Sequence, residues 1–242
     1  MPPKGKLPPL SQRRLGFQLP NLRHVAVKKV AEGDGWVLIS KPSGLLSVPG
    51  KDPEHDDCAL ARVQAMYPNA TGGMVVHRLD LPTSGLLLFA LTPDRLTELN
   101  QQFAHRQVDK SYTAILERSP SVNHEDIFLP LRLDPFQRPL QMYDPLHGKP
   151  CHTRWCLLDS DHALGVKVKL IPITGRTHQL RVHAAHPLGL NAPIVGDPHY
   201  SSDAQADGSA PRGMRLHLHA SFLSFTDPAS GHRVSYQEEA PF

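Results

Sequence analysis

Cysteine is scarce in this sequence, with three residues, Cys58, Cys151 and Cys156, among 242. An odd set cannot pair completely, and the spacing does not match a secreted disulfide scaffold, so a reducing cytoplasm is the expected compartment. No apolar run is long enough to cross a bilayer, and no hydrophobic core of a signal peptide stands near Met1, so no membrane role is expected. Also missing are a Gly-rich phosphate loop, a G-x-S-x-G nucleophile elbow and a supported Cys-His dyad. The 15 histidines raise the question of a metal. The candidate groups are Cys151 and His152 with Cys156, His183 with His186, and His217 with His219. None has structural zinc spacing or forms H-E-x-x-H, so neither metal nor cofactor is expected.

A hydrophobic content of 40% can build a substantial core in one large domain or two small ones. The net charge of +3 is mild and by itself points to solubility. Its distribution says more. Lys4, Lys6, Arg13, Arg14, Arg23, Lys28 and Lys29 all precede the first acidic residue, Glu32, and prolines are interleaved among them. Such a segment cannot bury enough surface to order itself and reads as a basic arm. Contact with nucleic-acid phosphates and a merely solvated tail both fit it; an organelle transit peptide fits less well because of the prolines.

The stretch His77 to Ala90 organises the rest. Asp80 lies in a polar turn between Met74-Val75-Val76, which reads as a short strand, and the apolar run Leu86 to Ala90, which has buried-strand length. Two readings follow. Asp80 accepts the amides of Thr83 and Ser84 in an Asx-type turn, or it is a carboxylate free for chemistry at the mouth of a hairpin. Around it, Gly35 to Ser40 reads as a strand, Lys41 to Gly44 as a turn and Leu45 to Gly50 as a second strand. Helical patterns span Asp57 to Tyr67, Pro93 to Arg106 behind a Thr92 cap, and Gln179 to Ala185. Lys110 to Leu116 alternates as a strand. Thr153 to Leu158 and Ala163 to Leu170 form an expected antiparallel pair across a turn at Asp159 to His162. Leu129 to Leu131 and Tyr143 to Lys149 look like edge loops, and Asp197 to Arg212 like a surface loop. Strand alternation resumes at Leu216 to Ala220, and Phe222 to Thr226 runs into a terminal hairpin.

Three motifs carry a resemblance. His77 to Leu86 reads H-R-L-D-x-x-T-S-G-L, Lys41 to Leu45 reads K-P-S-G-L, and Gly175 to His183 reads G-R-T-H-Q-L-R-V-H. Together and in this order they are similar to the RluA-type pseudouridine synthases, and Lys41 to Gly50 resembles the RluA branch. The resemblance implies an α+β fold: a mixed, largely antiparallel sheet with flanking helices and loops and a central catalytic cleft. It implies one catalytic domain over residues 24–242 behind the arm of residues 1–23. It makes Asp80 the catalytic carboxylate, and Tyr112, in K-x-Y-x-A, the ring against the target base. Arg176 becomes the guanidinium that keeps Asp80 ionised. Arg78, His77, Lys41 and Arg181 are the expected RNA contacts, with Arg78 filling the place a flipped base leaves, and Lys41 also supporting the catalytic loop; Arg181, with His178 and His183 near its helix, fits equally a place behind the reacting groups. The implied substrates are stem-loops, a tRNA anticodon arm, a 23S-type ribosomal RNA hairpin, or both, acted on without cofactor; a monomer is the default expectation, which the resemblance does not supply. The alternative is a non-catalytic RNA-binding or ribosome-assembly protein on the same fold; the retention of Asp80, Tyr112 and Arg176 separates the two.

Overall fold

Ser84–Ala90 (β3) is buried at all seven positions, as a strand with neighbours on both edges and cover on both faces must be. The computed structural model describes residues 21–50, 55–71, 73–121, 126–207 and 215–242, without the side chains of 205–207. Most of the expected basic arm, residues 1–20, lies outside the described residues. From the first described residues onward the chain is tied down: the Arg62 guanidinium donates to the carbonyls of Leu22, at 2.7 Å, and Val25.

A nine-stranded sheet forms the body. It starts with the antiparallel strands Lys28–Gly33 (β1) and Trp36–Lys41 (β2), and β2 pairs antiparallel with β3. Next to β3 lies a strand from the far end of the chain, Leu218–Thr226 (β10), in the one parallel pairing among the named strands. Asp109–Leu116 (β4), Gly165–Pro172 (β9), His152–His162 (β8) and Asp126–Phe128 (β5) continue the order, and Arg233–Gln237 (β11) pairs with β10. Leu131–Leu133 (β6) and Gln141–Tyr143 (β7) form a separate two-stranded ribbon. The expected α+β architecture with a mixed, largely antiparallel sheet is therefore the observed one.

The parallel joint explains the glycine of T-S-G. Ser84 stands opposite His219 and Gly85 opposite Ala220, and a β-carbon on Gly85 would come within 2.4 Å of the Ala220 carbonyl oxygen. Only glycine lets the two backbones approach so closely, and its φ of +111° also suits it alone.

The helices follow their caps. Ala59–Met66 (α1) starts at Cys58, whose Sγ accepts the Ala61 amide, and Pro93–Ala104 (α2) starts at Thr92, whose Oγ1 accepts the Arg95 amide. Gln179–Ala185 (α3) has the expected bounds, and Ser202–Asp207 (α4) falls inside the stretch read as a loop.

Several expectations need correction. Met74 to Val76 forms no strand and only bridges Phe89 through Val75. Leu45 to Gly50 is not a second strand either, because its polar groups turn towards the Asp80 loop, leaving a single bridge from Leu46 to Cys58. The β8–β9 turn is Ala163-Leu164, since residues 159–162 continue the strand to a His162 to Gly165 pair. The edge loops around 130 and 145 supply the β6–β7 ribbon. Asp197, placed on a surface loop, is fully buried.

Three buried histidines give the fold a pH dependence. Burial lowers His178, His183 and His219 to about 4. In the unfolded chain these imidazoles take up protons below about pH 6.5, so between there and about pH 4 the unfolded state holds more protons than the folded one. Stability is then present above pH 6.5 and falls with acidification, by up to ~1.4 kcal/mol per pH unit for each ring. Urea unfolding between pH 7.5 and 4.5 is expected to show a steep loss of stability below pH 6, less steep in His183→Gln. A flat profile would contradict neutral burial of these rings.

Candidate active site

The loop carrying Asp80 is held by its backbone on both sides. Ser47 Oγ donates to the Leu79 carbonyl at 2.7 Å and accepts the Leu79 amide at 3.1 Å. Beyond Asp80, the Gly44 amide donates to the Leu81 carbonyl at 2.9 Å, and Ser43 Oγ to the Pro82 carbonyl at 2.7 Å. Lys41, fully buried at the end of β2, reaches the same place: Nζ donates to the carbonyls of Pro42, Leu45 and Leu81 at 3.0, 2.7 and 3.2 Å. Residues 41–47 thus form a splint, in which Lys and two Ser are needed for their donors. Burial lowers the Lys41 ammonium to about 7, with the Asp80 charge opposing that shift.

Asp80 makes no Asx turn of the expected kind. Its main-chain carbonyl accepts the Thr83 amide at 3.1 Å, which leaves the carboxylate to other partners. Arg181 Nη1 approaches Oδ2 at 3.4 Å, and His178 Nε2 lies 3.9 Å from the same oxygen. The Asp80 side chain is 25% exposed, while that of Arg181 is 1% exposed. Arg181 is fixed from behind by Asp197, through Nε to Oδ2 at 2.8 Å and Nη2 to Oδ1 at 2.7 Å, the two-pronged geometry a guanidinium and a carboxylate favour. Asp197 Oδ1 also accepts the amides of His199 and Tyr200, at 2.9 and 3.0 Å. The Tyr200 ring lies 5.1 Å from the Arg181 guanidinium carbon, and its hydroxyl is hydrogen-bonded to His178 Nδ1 at 2.9 Å.

The expected partnership of Arg176 with Asp80 is therefore replaced. The guanidinium beside Asp80 belongs to Arg181, on the inward face of α3, whereas Arg176 is exposed in the preceding turn, where its backbone caps Gln179. The motif G-R-T-H-Q-L-R-V-H holds both arginines five residues apart, and the helix boundary separates them: Arg176 precedes α3 in the exposed turn, whereas Arg181 lies within α3, all of whose residues are buried. Sequence reasoning does not single out Asp197 or Tyr200 as site residues. The signal for Asp197 was a Gly-Asp-Pro turn after an apolar run, which sequence alone reads as surface.

The carboxylate opens on a cavity of about 1040 Å³ that is also lined by Tyr112, Arg78, Arg106, Lys110, Lys169 and Arg176. Tyr112 stands in β4 between two core clusters, and burial, with the Asp80 charge added, raises its hydroxyl well above the ordinary tyrosine value. The cations have a common property. Arg78, Arg106, Lys110, Lys169 and Arg176 have no ion-pair partner among the described residues, a property shared elsewhere by Lys28, Arg118, Arg138, Lys149, Lys167 and Arg215, but these five line one cavity. Unpaired cations gathered round one cleft suit a polyanion.

Of the four expected RNA contacts, the structure leaves Arg78 exposed on the cavity rim. Lys41 and Arg181 are buried and committed to carbonyls and carboxylates, which removes them from contact with a phosphate. His77 Nε2 accepts the Leu88 amide at 3.1 Å and its ring stacks on Phe103, so it anchors the loop to β3 and α2. Burial lowers this ring to about 3, so it carries no charge for a phosphate. Among the described residues no three His, Cys, Asp or Glu side chains are grouped to hold a metal ion, and no helix is long and apolar enough to cross a membrane.

Comparison with known proteins follows the same lines. The family described as RNA pseudouridylate synthase matches residues 35–186. The Dual-specificity RNA pseudouridine synthase RluA of Escherichia coli K12 is 41% identical over 211 residues, covering 87% of this chain and 92% of the relative. Its namesake from Vibrio vulnificus is 42% identical, covering 83% and 78%. The solved structure of Human RNA Pseudouridylate Synthase Domain Containing 4 superposes with a TM-score of 0.69 at 25% identity, covering 88% of each chain. Human RNA Pseudouridylate Synthase Domain Containing 1 gives 0.69 at 26%, covering 90% and 84%.

The two arginines are separable by stability. Asp197→Ala strands a buried guanidinium and is expected to cost ~3–5 kcal/mol in denaturant unfolding. Arg176→Ala, at an exposed position, is expected to stay within ~0.5 kcal/mol of wild type. Equal losses from the two would refute this arrangement.

Proposed function

Because this chain belongs to the RNA pseudouridylate synthase family and is an RNA pseudouridine synthase, we propose that Asp80 is its catalytic residue, with Arg181 as the cation that orients it. One observation carries the reading. Asp80 is a partly open carboxylate at a cleft of unpaired cations, on a loop whose backbone is splinted on both sides and whose carboxylate faces a buried arginine.

Converting uridine to pseudouridine breaks the N1–C1′ bond, turns the uracil within the site, and joins C5 to C1′. The C5 proton is lost and N1 gains one, so no redox partner is required. An ionised Asp80 serves either as a nucleophile towards the nucleoside or as the base that takes a ribose proton. Arg181 faces and orients the Asp80 carboxylate while Asp197 holds Arg181 still. Tyr112 offers its ring to the base and its hydroxyl to the sugar. The target must leave its stack, which costs a few kcal/mol and least in a loop. Arg78, two residues from Asp80 and exposed, is placed to fill the gap or grip the backbone.

The RluA relatives are named for dual specificity, and we take tRNA and large-subunit ribosomal RNA stem-loops as the substrates of this enzyme also. In the same reading it works in the cytoplasm as a monomer, without metal.

Transcripts labelled with tritium at uracil C5 test the assignment, since the C5–C1′ bond cannot form without releasing the label. Asp80→Asn is expected to reduce release by at least ~10²-fold with RNA affinity nearly unchanged. Arg181→Lys should lower the rate strongly, because an ammonium cannot grip Asp197 with two prongs and face Asp80 together. Arg176→Ala should leave it within a few-fold. An active Asp80→Asn enzyme would sink the mechanism, and testing tRNA and ribosomal RNA separately names the substrate.

A further inference from the structure

Helix α2 ends in a turn that suits glycine and holds arginine. After the capping residue His105, the Arg106 amide donates to the Phe103 carbonyl at 3.2 Å and the Gln107 amide to the Gln102 carbonyl at 2.8 Å. These two bonds define the Schellman ending, whose middle residue must be left-handed, and Arg106 has φ +59°. A β-carbon penalises that conformation, and glycine adopts it freely.

Nothing local compensates the strain. The Arg106 side chain is exposed and has no ion-pair partner among the described residues. The apolar contact that often supports this ending would fall to Gln102 and Gln107, which are both polar. A cation does favour the negative end of a helix, but the preceding turn could hold one without a left-handed backbone. The same residue lines the cavity of Asp80, beside Phe103, over whose ring Lys110 Nζ sits at 5.6 Å. Strain kept at the rim of a site is the usual mark of a side chain retained for function.

We infer that Arg106 is a positioning residue for RNA, gripping a phosphodiester next to the target uridine from the α2 side of the cleft. The guanidinium fork fits two phosphate oxygens, and the left-handed turn fixes where the side chain starts. This rests on the reading of the cavity as the RNA site.

Arg106→Gly separates function from packing, because it removes both the strain and the grip. Its melting temperature is expected to rise by ~2–4 °C. Its dissociation constant for a substrate stem-loop is expected to rise ~5–10-fold, with the slope against log salt reduced by ~1. The loss should appear in KM for RNA, with kcat falling less than twofold. Arg106→Asn, also at ease in this conformation, should reproduce the affinity loss, and Arg106→Lys should recover much of it. An Arg106→Gly protein binding RNA with wild-type affinity and salt slope would overturn the inference, as would one that melts below wild type. An active Asp80→Asn enzyme would strike only the catalytic assignment and leave the affinity result standing.

Discussion

One buried cation shared by two carboxylates is the constraint on which the site depends. Arg181 spends Nε and Nη2 on Asp197 and has Nη1 left for Asp80. Asp197 is fully buried and Asp80 partly open, so the guanidinium is fixed from within and offers its remaining side outwards. Removing Asp197 leaves two buried guanidinium donors without their acceptors, which is costlier than never having buried the pair, whereas Arg181 stays paired with Asp197 when Asp80 is neutralised. The surroundings follow from this. His178 and His199 are held neutral by burial and by the Arg181 charge, and Tyr200 covers the guanidinium with its ring. A rim of cations stands next to these carboxylates, so a polyanion is drawn to the edge of the cleft.

Much of the fold was legible in the sequence because it rests on local signals. The Thr92 cap followed by Pro93, the all-apolar run of β3, and the alternation from Lys110 to Leu116 each become the expected element. What failed was decided by tertiary contacts. Leu45 to Gly50 alternates like a strand, yet Ser47 spends its hydroxyl on Leu79 and the segment turns aside. Residues 159–162 look like a turn, but strand pairing carries through them to Gly165.

At the site, the motifs located the right segments and the structure redistributed their members. Asp80, Tyr112 and Arg78 face the cavity as expected. Lys41 supports the loop as expected but is not free for RNA, and His77, expected as an RNA contact, is likewise a structural tie under the loop. The Asp80 partner is Arg181 and not Arg176 because α3 is buried along its whole length while the turn before it is exposed, a difference that the motif's spacing does not carry. Asp197 was missed because a carboxylate in a Gly-Asp-Pro turn reads as solvated, and its partner lies 16 residues upstream in another element.

The parallel joint between β3 and β10 has a consequence in time. The loop of Asp80 leads into β3, and the open edge of β3 is closed by a strand made more than a hundred residues later, which also completes β4. During synthesis Asp80 is in the emerging chain early, while the sheet beside it stays a gap with two unsatisfied edges. The sheet beside the Asp80 loop is therefore incomplete until β10 is in place, and a chain truncated before it keeps Asp80 without the strand that joins β3 to β4.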